Sequence, residues 1–178
     1  MEKMAMTEEQ RQALQFKWSH LGDIAWGRPT FGNRTSVLAY RMMQFSLRDL
    51  LIREFGAEVA NRIFYQAGLQ AGRALHDQYL TQATGFDRFI GELAELLEKL
   101  EIGLLRVERV DQAAGFFVLT ISEDLDCSGL PITHESVCTF DEGLIAGLFS
   151  VHLGQKCQVR ETDCWCTGDR VCRFEVTI

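Results

Sequence analysis

The spacing of apolar residues changes at about Glu101 of this 178-residue chain. Before it the apolar positions recur every three or four residues, and after it they alternate, so helices come first and a sheet follows. Tyr40, Met43, Leu47, Leu50/Leu51 and Phe55 define one helical face over 37–55, and Gly56 ends the run. A second helix is expected over 57–81, with Phe64, Gly68, Ala71/Gly72, Leu75 and Tyr79 on one face. A third is expected over 86–100, carried by Phe86, Phe89/Ile90, Leu93, Leu96/Leu97 and Leu100. LLRVERV (104–110) and GFFVLTIS (115–122) then read as one hairpin, and KCQVRET (156–162) and VCRFEVTI (171–178) as another. Between the hairpins, Thr139-x-x-Glu142 reads as a capping box opening a helix to about Leu153. This order predicts an α+β fold: N-terminal helices packed on a four-stranded antiparallel sheet, with one helix between the two hairpins.

Upstream, TEEQRQALQFKW (7–18) has the acidic first turn of a short helix, and GDIAWGRPTFGN breaks regular structure with three glycines and a proline. Residues 1–36 are therefore expected to be an N-terminal helix and connecting segment, and 37–178 the main body of a single compact domain. A net charge of −7, a pI near 5.1 and no basic stripe exclude a nucleic-acid surface. No apolar run reaches membrane-spanning length, and the N-terminus lacks the apolar stretch of a signal peptide, so the expectation is a cytoplasmic protein. There thiols stay reduced, and six cysteines read as metal ligands or buried small residues before disulfides.

The closing segment VRETDCWCTGDRVCRFEV (159–176) holds three of those cysteines. Alternation puts Cys172, Phe174, Val176 and Ile178 on the core face of the last strand. On the preceding strand it puts Cys157, Val159 and Glu161 on the inner side. A buried carboxylate is costly unless paired or bound to a metal. Cys164, Cys172 and Cys138 are the available companions, and three thiolates with one carboxylate form a closed four-coordinate set suited to Zn²⁺. The alternative is plain buried thiols with Glu161 reaching water at a strand end. Cys157, Cys166 and His134 are further candidate ligands. A redox role for Cys164-x-Cys166 has less support, because the C-x-x-C spacing is absent.

These residues resemble a known family. Cys138-x4-Gly143-x3-Gly147, followed by Glu161, Cys164, Gly168, Asp169, Cys172 and Phe174, is similar to the C-terminal signature of the 4-vinyl reductase domain. YRMMQFSLRDLLIREFGAEVANRIFYQAGLQAGRAL resembles the family's helical half, so the likeness covers most of residues 37–178. The family shares its fold with subunits of the TRAPP tethering complex and with haem-NO-binding domains. The resemblance thus implies helices and a four-stranded sheet enclosing an apolar cavity. In phenol-responsive members a zinc site is made by Cys, Glu, Cys and Cys, which implies a structural Zn²⁺ on Cys138, Glu161, Cys164 and Cys172. Where those sensors have a polar His/Trp pair, this chain offers Phe89 and Phe117, which implies a fully apolar ligand.

The expected function is a stand-alone sensor or carrier domain holding a hydrophobic small molecule (acyl, aromatic or tetrapyrrole-like). Phe64, Gly68, Gly72, Phe89, Phe116 and Phe117 are the candidate pocket residues. A homodimer formed through the first helices is expected. The alternatives are a TRAPP-like interaction scaffold, or an accessory factor or enzyme of tetrapyrrole metabolism. No dinucleotide fingerprint is present. His20, His76, His134 and His152 fall in four separate segments without a catalytic grouping, and His76 lies beside the glycine stripe.

Overall fold

The computed structural model describes residues 16–178. The described residues divide into two units, the first ending at Arg34 and the second spanning Thr35–Ile178. Most of the helix expected over 7–18 lies outside the described residues. In the first unit the chain forms a 3-10 turn at Trp18–Leu21 and a single helical turn at Ile24–Gly27, capped by the Asp23 carboxylate accepting from the Trp26 amide at 2.9 Å.

In the second unit α1 spans Val37–Phe55, α2 Ala57–Tyr79 and α3 Phe86–Lys99. Strand β1 (Leu104–Asp111) pairs with β2 (Phe116–Ser122), α4 (Thr139–Leu153) follows, and β3 (Gln158–Asp163) pairs with β4 (Cys172–Thr177). The sheet order is β1-β2-β4-β3, with every pair antiparallel, so the two hairpins meet through β2 and β4. The predicted α+β architecture is the one observed. Ser36 caps α1 through its hydroxyl, which accepts from the Ala39 amide at 3.1 Å. Gly56 alone joins α1 to α2 at φ 83°, ψ 159°, a conformation that requires glycine.

Helix α4 is the centre of the fold. Residues 143–149 are all buried, as expected of a helix that is apolar on every side. Its approach to α2 is set by glycines on both helices. A Cβ on Gly68 or Gly72 would collide with the Phe140 or Leu144 carbonyl oxygen, and one on Gly143 or Gly147 with the Tyr65 or Leu69 oxygen. The glycine stripe of α2 therefore serves backbone-to-backbone packing. Phe89, Phe117 and Phe149 fill the space between α3, β2 and α4, with ring centroids 5.3–5.7 Å apart for the pairs that include Phe149.

Two local expectations change. Helix α4 is capped at Cys138 and begins at Thr139, so the Thr139/Glu142 capping box does not form. Glu142 accepts instead from the backbone amide of Glu161 at 2.7 Å and ties α4 to β3. Ile178 lies just past β4 and is 48% exposed, because the core face of that strand ends at Val176.

Two glycine substitutions separate packing from propensity. Gly72→Ala is expected to destabilise by about 3 kcal/mol through overpacking. Gly91→Ala, on the open face of α3 with nothing within 4 Å of a new Cβ, is expected to stabilise by about 1 kcal/mol. Urea unfolding followed by circular dichroism measures both.

Candidate functional site

Four cysteines from three regions converge beneath the start of α4. Cys127 comes from the loop after β2, Cys138 caps α4, Cys164 follows β3 and Cys172 opens β4. All four are buried, and their sulfur atoms lie within 4.8 Å of one another. Sγ of Cys138 is 3.8 Å from Cys164 and 3.7 Å from Cys172, while Cys127 and Cys172 are 3.1 Å apart. A tetrahedral ion with metal–sulfur bonds of about 2.3 Å requires sulfur–sulfur edges of about 3.8 Å. Two of the three distances have that value, and an ion at the centre would push the Cys127–Cys172 pair apart. The cluster could hold a metal ion.

The local structure explains the convergence. Asp124 Oδ1 accepts from the amides of Asp126 and Cys127 at 2.9 and 3.1 Å, a turn that points Cys127 inward. Past Cys164, a 3-10 turn at Trp165–Thr167 is closed by the Thr167 hydroxyl, which accepts from the Cys164 amide at 3.0 Å. The Cys166 carbonyl accepts from the amides of Thr133 and His134, and Trp165 Nε1 donates to the Leu130 carbonyl at 3.0 Å. These bonds pin the long loop before α4 to the β3–β4 turn.

The electrostatics are those of thiols that lack a counter-charge. Hydrogen bonds from Cys127, Cys138 and Cys172 push the Cys164 thiol down. Cys138 and Cys172 are pushed up, first by their contact with Cys127. Divalent metal binding would replace these protons and remove the conflict.

Cys138, Cys164 and Cys172, selected from the sequence, are all in this cluster. Glu161 does point inward, 7% exposed, and burial pushes its carboxyl up to about 8. One of its oxygens accepts from the Ser136 hydroxyl; the other is buried without a partner. Sequence reasoning misses Cys127. It sits in a polar loop with no strand alternation to give it a direction, and its only signal is its place in the count of cysteines. Of the spare candidates, Cys157 contacts the Gln155 carbonyl, Cys166 is buried with its thiol pushed up to about 12, and His134 is exposed. None of them joins the cluster.

A second feature lies between α1 and α2. A recess of about 240 Å³ is lined by Tyr40, Gln44, Leu47, Phe64, Ala67 and Phe140, with Met43, Leu51 and Ile63 completing its wall. Phe64 is the one expected pocket residue on this wall. Gly68 and Gly72 pack against α4, Phe89 and Phe117 lie in the aromatic core, and Phe116 is half-buried under the Arg109 guanidinium. The recess also touches the thiol loop: Tyr40 Oη donates to Asp126 Oδ1 at 2.7 Å. His76 lies elsewhere, buried beside Phe89 with the His152 ring 6.0 Å away, and burial pushes both imidazoles down. The fold thus brings together two histidines that are 76 residues apart in sequence.

Residues 117–178 match the family model of the 4-vinyl reductase domain. The resemblance to that family holds for this segment. Two uncharacterized proteins of Methanocaldococcus jannaschii are each 32% identical to the chain, over 116 and 87 residues. These alignments cover 65% and 49% of this chain, which spans 64% and 52% of the two relatives' lengths. The fold is also that of a vinyl-4-reductase family protein from M. jannaschii (TM-score 0.58, 15% identity, 98% of both chains). The phenol-responsive sensory domain of the transcription activator PoxR, solved with phenol, is similar (0.60, 18% identity, 80% of this chain and 74% of that one). So is a trafficking protein particle complex subunit 3 from Naegleria fowleri, covalently bound to palmitic acid (0.64, 13% identity, 79% and 93%). The family match begins at Phe117 and so takes in every cysteine of the cluster.

Cys127→Ser is expected to lower the metal affinity of the protein by at least roughly 10-fold, whereas Cys157→Ser leaves it unchanged. Metal analysis after dialysis against a competing chelator distinguishes the two.

Proposed function

We propose that this chain is a small-molecule-binding domain of sensor or carrier type, its C-terminal half held by a structural zinc ion. The observation that carries the reading is the apolar recess between α1 and α2, joined by the Tyr40–Asp126 hydrogen bond to the loop that supplies Cys127. The metal assignment rests on four converging buried thiols. Soft sulfur selects zinc over Mg²⁺ or Ca²⁺, and four protein ligands leave no open position for catalysis. Cys138, Cys164 and Cys172 supply three corners. Cys127 and Glu161 flank the fourth, and the clustering of all four sulfurs within 4.8 Å favours Cys127.

The ligand class follows from size. A dry cavity of about 150 Å³ suffices for benzene, and drug-sized ligands need roughly 300 Å³ or more. A recess of about 240 Å³ suits a single-ring aromatic or a short acyl chain better than a tetrapyrrole. Gln44, 6% exposed, carries an amide oxygen without a partner and would accept one hydrogen bond from such a ligand. The phenol and palmitic acid held by the two similar folds fall in the same chemical classes.

A homodimer completes the reading. Leu38, Met42, Met43 and Phe55 on α1 are 58–70% exposed, an apolar surface that a second copy would cover together with the recess mouth.

Three outcomes check these proposals. Ala67→Phe, which fills the recess, is expected to weaken binding of phenol or octanoate at least roughly 10-fold by calorimetry, with the unfolding temperature unchanged. No binding of either probe by the wild type would overturn the ligand reading. Stripping the metal with a chelator is expected to lower the unfolding temperature by more than about 10 °C. Sedimentation velocity at micromolar concentration should give a dimer that Leu38→Glu/Met42→Glu converts to a monomer.

A further inference from the structure

The four thiols do not account for the acidic groups packed against them. Asp124, Asp126 and Asp141 are 1%, 2% and 3% exposed, and each has a buried Oδ2 with no hydrogen-bond partner. None of them enters an ion pair among the described residues. Arg41 reaches this loop, but its guanidinium donates to the backbone carbonyls of Leu125 and Ser128, both at 2.9 Å. The remaining bonds leave the same oxygens open: Asp124 Oδ1 takes two loop amides and Asp126 Oδ1 takes Tyr40. Buried carboxylates persist when they are paired, protonated or bound to a cation.

The placement of two of them favours a cation. Asp124, Asp141 and Cys138 each bring one ligand atom within 4.8 Å of the other two. Asp141 lies in the first turn of α4, one turn from Cys138, so the helix itself holds these two side chains at the same spot. Cys138 is also a member of the four-cysteine cluster, with Asp124 Oδ1 3.9 Å from its sulfur.

We propose that Asp124 and Asp141, with Cys138 as a shared bridging thiolate, form a second divalent-cation site beside the four-cysteine site, making the centre binuclear. The proposal rests on the metal reading of the thiol cluster. Four thiolates and two carboxylates carry six negative charges. One divalent ion leaves four of them uncompensated in the core, and two ions leave two. A donor set of two carboxylates and one thiolate is suited to a borderline ion such as Zn²⁺, Co²⁺ or Fe²⁺ rather than to Ca²⁺, which takes oxygen ligands alone. Each ligand still protonated releases its proton to water as the ion binds.

The test is an anaerobic titration of the metal-free full chain with Co²⁺, read by absorbance and by metal analysis after desalting. Wild type is expected to retain two equivalents. Most of the sulfur-to-cobalt charge-transfer band should appear with the first, which binds four thiolates, and the second should add a smaller increment from its single bridging thiolate. Asp141→Asn and Asp124→Asn are each expected to retain one equivalent, with the band of the first equivalent intact and the second increment lost. Wild-type saturation at one equivalent with a full band would overturn the second site and leave the thiolate site standing. No uptake and no band would overturn both. The wild-type stoichiometry decides the question even if a variant fails to fold.

Discussion

Everything at the C-terminal end of this fold depends on burying the N-terminus of α4 among groups that water would otherwise solvate. Helix α4 packs against α2 and the sheet, so the inward side of its first turn, with Cys138 and Asp141, is buried. Cys138 and Asp141 lie there, and three further thiols and three further carboxylates are packed around them. Such a core is stable when the acidic groups are neutralised. A metal ion bound by the four thiols would do this while also tying together the loop after β2, the helix and the last hairpin. The glycine contacts between α2 and α4 belong to the same design, because they let the central helix be fully enclosed.

Polar contacts from α1 join the helical half of the domain to the loop after β2: Tyr40 donates to Asp126, and Arg41 to the Leu125 and Ser128 carbonyls. Tyr40 and Gln44 on α1 line the recess, and Tyr40 holds Asp126, two residues from Asp124 and adjacent to Cys127. The wall of the recess and the loop of the thiol cluster are therefore a single hydrogen-bonded unit, and burial pushes the Tyr40 phenol up so that it remains a donor. The aromatic cluster of Phe89, Phe117 and Phe149 lies apart from this unit and serves as the core of the sheet–helix packing.

Much of the fold is legible in the sequence because periodicity reports directly on burial. The bounds of α1 and the two hairpins follow from spacing, and strand alternation places Glu161 and Cys172 on the inner face. The reading of α4 rests on a Thr139/Glu142 capping box that does not form. The site is legible wherever a regular element gives a side chain its direction. Cys127 escapes because a loop has no period; its orientation comes from a turn made by Asp124, which only the folded backbone displays. Gly68 and Gly72 are visible as a packing feature, but spacing does not say which helix they meet. The recess formed by Leu47, Phe64 and Phe140 depends on that missing piece, since α1, α2 and α4 all contribute to it.

In the proposed reading, sulfur from Cys127, Cys138, Cys164 and Cys172 holds a metal at the start of α4. X-ray absorption at the zinc edge, on protein loaded with one equivalent of zinc, tests it most directly. Four sulfur scatterers at about 2.3 Å are predicted. A shell of mainly oxygen and nitrogen, or no retained zinc, would contradict it.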